Sequence, residues 1–303
     1  SENVYLGAGF HGAGIYAFFD GGLDDITIWN RALTQEEIQN NMNSDLSGDE
    51  NGLVGLWKFD AGADTIAYDH SGNANHGDIN GASWAVSLTY VPDDNFEQAL
   101  IDLGYDDVLD NYVVTDSISG VTSLNVYSKS ISDLTGIEAF VALNELTCGT
   151  NPLGEVDLSN NTALTSLSIG LSQLTSLDLS NNTSLTSLIC HLNGLTSLDL
   201  SANTAITSIS CRNNNLTELV LGNNTALTQL WCYGNQLTSL DVSANTSLTT
   251  LNCYGNQLTS LDVSNNTLLT YLHAGTNQLT ALDVSQNTEL TTLWVGFNSL
   301  DSL

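Results

Sequence analysis

The sequence predicts a mainly β chain: a parallel β solenoid over residues 121–303, preceded by a short helical cap within 87–120 and a partial β-sandwich over 1–86. Three observations predict it. From Leu143 onward the sequence matches itself every 21 residues, with Leu143, Leu164, Leu185, Ile206, Leu227, Leu248, Leu269 and Leu290 opening successive units. Before residue 87 that period is absent, and Gly and aromatic residues rise. Between the two, VPDDNFEQALIDLGYDDVLD (91–110) spaces Phe96, Leu100 and Leu103 along one helical face, with Pro92 near its start.

Composition narrows the function classes. The chain has 303 residues, 42% of them hydrophobic, and 34 acids against 4 bases give a net charge of −30. The bases are Arg31, Lys58, Lys129 and Arg212. No basic surface exists to displace counterions from phosphates, which excludes nucleic-acid binding and disfavours anionic membranes. Apolar runs fall far short of the ~20 residues a membrane helix needs, so no membrane insertion is expected. Such a charge suits a secreted or cell-surface protein in salty water, where screening softens self-repulsion.

Counted from its opening leucine, each unit reads L-x-x-L-x-C-x-x-N-x-L-T-x-L-D-L/V-S-x-N-T-x. The first eleven positions are the leucine-rich-repeat signature, and the last ten nearly repeat it. One coil cannot bury its leucines alone, but stacked coils can. Each L-x-L triplet predicts a short strand with leucines inward, so the nested half-repeat predicts two parallel sheets. Two Asn columns, Asn151 to Asn298 and Asn161 to Asn287, are expected to bond buried backbone groups at the turns. Cys148, Cys190, Cys211, Cys232 and Cys253 share position six with Ile169, Ala274 and Val295. That apolar set predicts buried free thiols, and a spacing of 21 is no zinc pattern.

These repeats resemble those of bacterial leucine-rich-repeat proteins with a nested half-repeat. Residues 121–142 form a variant 22-residue unit whose ISDLTGIE resembles the first repeats of internalin-type surface proteins. The resemblance implies that the preceding helix caps the first coil. Seven acids and no base between Asp93 and Asp110 suggest a solvated cap face.

In the first module, FFDGGLDDITIWNRALTQEEI (18–38) and GLVGLWKFDAGADTIAYDHSGNANHGDINGASW (52–84) resemble two signatures of laminin-G-like, concanavalin-A-like jelly rolls. About 85 residues are too few for such a sandwich, and Leu303 falls inside a repeat, so the sequence reads as an excerpt of a larger surface protein. The resemblance implies bound calcium, with Asp24, Asp25, Asp69 and Asn73 as oxygen ligands. The alternative for Asp69 and Asn73 is turn capping in a Gly-rich loop. Trp29, Trp57 and Trp84 are expected in the core. No cofactor beyond calcium is implied.

The sequence carries no nucleophile elbow, phosphate loop or paired-histidine zinc motif, so no catalytic residue is assigned. Specificity is expected on the outward strand positions. Position five runs Thr147, Ser168, Ile189, Ser210, Trp231, Asn252, His273, Trp294; position three ends Gln229, Thr250, Tyr271, Thr292; position seven includes His191, Arg212, Tyr233 and Tyr254. An aromatic on an exposed strand face has no folding reason to be there. Trp231, Tyr233, Asn252, Tyr254, Tyr271, His273, Trp294 and Arg212 are therefore the candidate ligand-binding residues, for a glycan or a surface protein. The leading expectation is extracellular recognition or adhesion. One alternative is a non-catalytic accessory region of a secreted polysaccharide-degrading enzyme. A remote one is ice or mineral binding through the threonine columns Thr165–Thr291 and Thr175–Thr280.

Overall fold

The computed structural model describes residues 6, 9–11, 14–16, 23–42, 46–59, 65–80, 82 and 86–301. The chain divides into two compact units, Ser1–Val86 and Ser87–Leu303.

Among its described residues the first unit shows three antiparallel pairs: Gly9–His11 with Gly14–Tyr16, Ile26–Trp29 with Leu53–Trp57, and Ile66–Ala67 with Gly77–Asp78. Two facing sheets, the mark of a jelly roll, are not seen among those residues. A helix, Gln35–Asn41, is opened by a reciprocal box in which Thr34 caps the Glu37 amide and Glu37 caps Thr34. Arg31 grips the Glu37 carboxylate through two bonds of 3.0 and 2.8 Å. That grip leads the interactions that hold Glu37 down at about 2. Trp57 is buried and Trp29 half-buried under Arg31; Trp84 lies outside the described residues.

The second unit begins with an antiparallel pair, Leu88–Tyr90 with Tyr112–Val114, enclosing the helix Asp94–Asp102. Phe96, Ala99 and Leu100 are buried, and Phe96 meets Phe140 of the first coil at 6.4 Å between centroids. Asp93 joins cap to solenoid. Its Oδ1 accepts from Asn95 and Phe96 at the helix start, while Oδ2 accepts from the Ser132 amide, the Ser132 hydroxyl and the Asp133 amide. Burial pushes its pKa up, but these donors outweigh burial and hold it below the ordinary value.

Two details of the cap differ from expectation. Leu103 is 46% exposed, because Gly104 takes a φ of 80° and turns the chain before a further helical position can face inward. The acidic face is not wholly solvated either. Glu97 is 0% exposed, and its Oε1 accepts from the amides of Asp110 and Tyr112, closing the loop that follows the helix.

The solenoid is a nine-stranded parallel sheet. Its strands run in chain order: Ser123–Asn125, Glu145–Thr147, Ser166–Ser168, Ser187–Ile189, Ser208–Ser210, Gln229–Trp231, Thr250–Asn252, Tyr271–His273 and Thr292–Trp294. Each central residue from Leu124 to Leu272 is buried, as are the position-eleven leucines from Leu153 to Leu279. The five cysteines are buried and unpaired. Burial alone pushes Cys148 up to about 12, and it leads the same rise at Cys211 and Cys253, which makes these thiols poor nucleophiles.

Only one pair of strands forms where a second sheet was expected: Ser197–Asp199 with Glu218–Val220. Along the rest of this side, and at Asp199 within the pair itself, the aspartate at position fifteen accepts from the backbone of the serine two residues on, as in Asp178 with Ser180 at 2.9 Å, Asp199 with Ser201 at 2.8 Å and Asp241 with Ser243 at 2.9 Å. The exceptional pairing includes Val220, the one position-fifteen residue from Asp157 to Asp283 without a carboxylate. A β-branched side chain there favours an extended strand.

The asparagine columns do bond the backbone, but unequally. In the first, Asn235 uses both amide ends: Nδ2 donates to Cys211 O and Cys232 O, and Oδ1 accepts from Leu216 N at 3.1 Å. In the second, Asn182 and Asn266 donate to two backbone carbonyls each, yet the Oδ1 atoms of all seven from Asn161 to Asn287 have no partner among the described residues. At position eight all eight coils, Thr150 to Phe297, take a left-handed φ of 51–67°. Gly234 and Gly255 adopt it without strain, whereas Leu171, Leu192 and Phe297 do not.

Candidate recognition surface

Outward side chains of the nine-stranded sheet stand at positions three, five and seven. In-register pairing places Trp231, Asn252, His273 and Trp294 on successive strands of one column. The rings are not evenly spread. Trp231 and Tyr271 approach to 6.1 Å between centroids although a whole strand, Thr250–Asn252, lies between theirs. They lean over Asn252, which is small, 9% exposed beneath them, and has its Oδ1 accepting from Tyr254 N at 3.2 Å. Its amide oxygen is thus committed to the backbone of its own coil.

A second run of rings follows. Tyr254 lies 4.8 Å from His273, which lies 5.9 Å from Trp294. The Tyr254 ring reaches the next coil because position seven there is Gly275, where an added Cβ would sit 3.5 Å from Tyr254 Cδ2 and 3.0 Å from the Gly296 carbonyl. Trp294 is 59% exposed and Tyr254 41%, while Trp231, Tyr271 and His273 are half-buried. Burial lowers the His273 pKa, which favours the neutral ring within the stack. Ile189, 37% exposed in the same column but separated from Trp231 by Ser210, is a further outward apolar residue that the candidate set omits.

Toward the cap the face changes character. His191, Arg212 and Tyr233 occupy position seven of three successive coils. Arg212 Nη1 donates to the Tyr233 hydroxyl at 3.0 Å, and its guanidinium carbon stands 5.6 Å from that ring's centroid. Burial, and next the Arg212 charge, lower the His191 pKa.

The other candidate residues are engaged differently. Asp69 organises its loop: Oδ1 accepts from the amides of Leu56 and Ser71, and Oδ2 from Asn75. Burial raises its pKa, but the donors prevail and hold it at about 2. Asn73 donates to Val54 O at 3.1 Å, and Asp24 accepts from the Asp25 amide at 3.0 Å. Among the described residues no group of three or more His, Cys, Asp or Glu is gathered for a metal. Thr186, Thr207, Thr228, Thr249, Thr270 and Thr291 each donate their hydroxyl to the carbonyl one coil earlier at 2.9–3.1 Å. Those donors are spent on the backbone and are not offered to an ice lattice.

Fold and face together define an internalin-like leucine-rich-repeat solenoid, mainly β with few helices, and the comparisons agree. Residues 225–268 match the family model for Leucine Rich repeats (2 copies). Internalin J of Listeria monocytogenes is 40% identical over 73 residues, which are 24% of this chain and 8% of that protein. The solved functional domain of internalin J, described as including a cysteine ladder, is similar at a TM-score of 0.68 and 39% identity, covering 72% of this chain and 50% of that one. YopM, a leucine-rich effector protein from Yersinia pestis, gives a TM-score of 0.50 at 25% identity over 61% of this chain and 51% of its own. The chain thus spans about half of the solved internalin J domain and a small part of the whole protein. No helix among the described residues is long and apolar enough to cross a membrane.

Proposed function

We propose that the solenoid is an extracellular recognition module, secreted or held at a cell surface, that binds a protein partner through the outward face of its nine-stranded sheet. The observation that carries this reading is the ring surface of Trp231, Tyr271, Tyr254, His273 and Trp294, with Tyr254 and Trp294 exposed and the others half-buried, on a strand face whose backbone bonds are already made. Large, rigid aromatic side chains give contact area at low entropic cost and dominate interface energetics. The similarity to internalin J repeats supports the assignment to surface recognition. A glycan is the second reading, favoured by the 59% exposed Trp294 ring and by the exposed Gln229 on the strand of Trp231. For residues 1–86 we propose a laminin-G-like sandwich fold, resting on the two sequence signatures.

The test is the combined variant Trp231→Ala, Tyr271→Ala, Trp294→Ala, probed on arrays of host-surface proteins and of glycans. Its circular dichroism and melting should match wild type, and binding should fall at least about tenfold. Wild-type affinity in the folded variant would sink the assignment of this face. Binding on the glycan array alone would select the second reading.

A further inference from the structure

We propose that the partner is a polypeptide presenting a carboxylate beside apolar or aromatic side chains, and that Arg212 receives that carboxylate. This rests on the reading of the sheet face as the binding surface. From Ser166 to Gly296 the outward columns at positions three, five and seven contain no Asp or Glu, in a chain with 34 of them. Arg212 stands in this acid-free strip. Arg31 is paired with Glu37 and Lys129 with Asp102, but Arg212 has no carboxylate within ion-pair distance among the described residues. Its Nη1 donates to the Tyr233 phenol oxygen, which leaves Nη2 and Nε to donate. The guanidinium is thus held by the Tyr233 ring and kept from internal acids, the arrangement that suits a planar, bidentate grip on a carboxylate from outside.

Geometry sets the size of the ligand segment. Arg212 and Trp294 are four coils apart, about 19 Å at strand spacing, so about six extended residues bridge the cationic and aromatic ends. The −30 body adds an unusual signature. It repels an acidic segment at long range, over a Debye length of about 30 Å at 0.01 M salt and about 8 Å at 0.15 M. An acidic ligand for Arg212 therefore binds better as salt rises through this range, whereas a basic ligand binds worse.

The probe is an array of short apolar-aromatic peptides in matched sets, one position being Glu, Gln or Lys. It is read with the full chain and with Arg212→Gln, Arg212→Lys and the double variant Trp231→Ala, Tyr271→Ala. We expect Glu members to exceed their Gln partners by about tenfold, the difference to vanish in Arg212→Gln and to survive in part in Arg212→Lys. We also expect Glu members to bind more tightly at 0.15 M than at 0.01 M salt. Equal binding of Glu and Gln members, preference for Lys, or an unchanged Arg212→Gln overturns the proposal. So does the lack of any member tighter than about 1 mM. If Trp231→Ala, Tyr271→Ala loses binding while Glu and Gln members stay equal, only the carboxylate inference fails; if that variant binds as wild type, the sheet-face reading fails.

Discussion

Asn235 and Asn245 offer a sharp test of the two asparagine columns. Both are buried, 7% and 1% exposed, and truncation to Ala removes the same atoms from each. The bonds lost are different. At Asn235, Cys211 O keeps the donor Asn214 Nδ2 and Cys232 O keeps Asn256 Nδ2, but Leu216 N loses its acceptor inside the core. An orphaned buried N–H costs about 1–3 kcal/mol, and two weakened carbonyls add to it, so Asn235→Ala should lose about 2–4 kcal/mol. At Asn245, Nδ2 donates to Asn224 O, which also receives Leu227 N, and Oδ1 has no partner among the described residues. Truncation there orphans nothing and removes an unsatisfied acceptor, so the loss should stay near 1 kcal/mol. The cavity contributions are alike and cancel in the comparison. Urea titration of both variants measures the gap, and hydrogen exchange at the Leu216 amide localises it, because damage in a solenoid stays near the altered coil. Equal losses, or a larger loss at Asn245, would refute the claim that bond accounting separates the columns.

Two further predictions concern stability. Leu230→Ala, at a fully buried central strand position, should cost about 2–5 kcal/mol in the same titration, and a loss under about 1 kcal/mol would remove that position from the core. Asp178 is held below its ordinary 3.8 first by the Ser180 amide and then by the Ser180 hydroxyl. Its folded pKa lies below its unfolded one, so its contribution is present above about pH 4 and is lost as pH falls through the lowered value. Asp178→Ala should therefore melt below wild type at pH 7, with the difference closing in acid, while Asp178→Asn, which keeps an acceptor but not the charge, should melt between the two. Equal melting of the Ala and Asn variants at pH 7 would show that the turn bond does not stabilise the coil.

Much of the fold was legible because the period fixes which side of each strand faces inward. Leu188, Leu230 and Cys211 have one physical option once their column is recognised. What escaped the sequence depended on local competition or on distant partners. The second sheet is reduced to one pair although L-x-L-D satisfies a strand pattern in nearly every coil; Asp199 bonds Ser201 inside that pair, so what sets the pair apart is Val220 in the next coil. Leu103 keeps helical spacing, but Gly104 ends the helix first. Glu97 looks like one more acid on a solvated face; only the amides of Asp110 and Tyr112, thirteen and fifteen residues on, show why it is buried. At the site, Trp231, Tyr271, Tyr254, His273 and Trp294 were legible as outward aromatics. Their pairing was not, nor was the burial of Asn252, because both depend on how neighbouring rings lean across a coil.

The two exposed sides of each coil carry different chemistry for a reason that lies in the backbone. At the turns, an aspartate finds an amide and a hydroxyl two residues ahead, and the pKa of every such group from Asp157 to Asp283 is lowered. For Asp178, Asp241 and Asp283 repulsion from another aspartate of the column ranks last among the causes, so these bonds outweigh stacking of like charges. On the sheet face the amides are already committed to the ladder between strands. A carboxylate column there would meet repulsion of roughly 1 kcal/mol per pair at strand spacing in water, with no backbone donor to offset it. The acids thus concentrate where the chain can hold them, and the face left to neutral and aromatic side chains is the one a partner can cover without stripping water from rows of carboxylates. Carboxylates and aromatic rings are in this way divided between the two sides of one 21-residue coil.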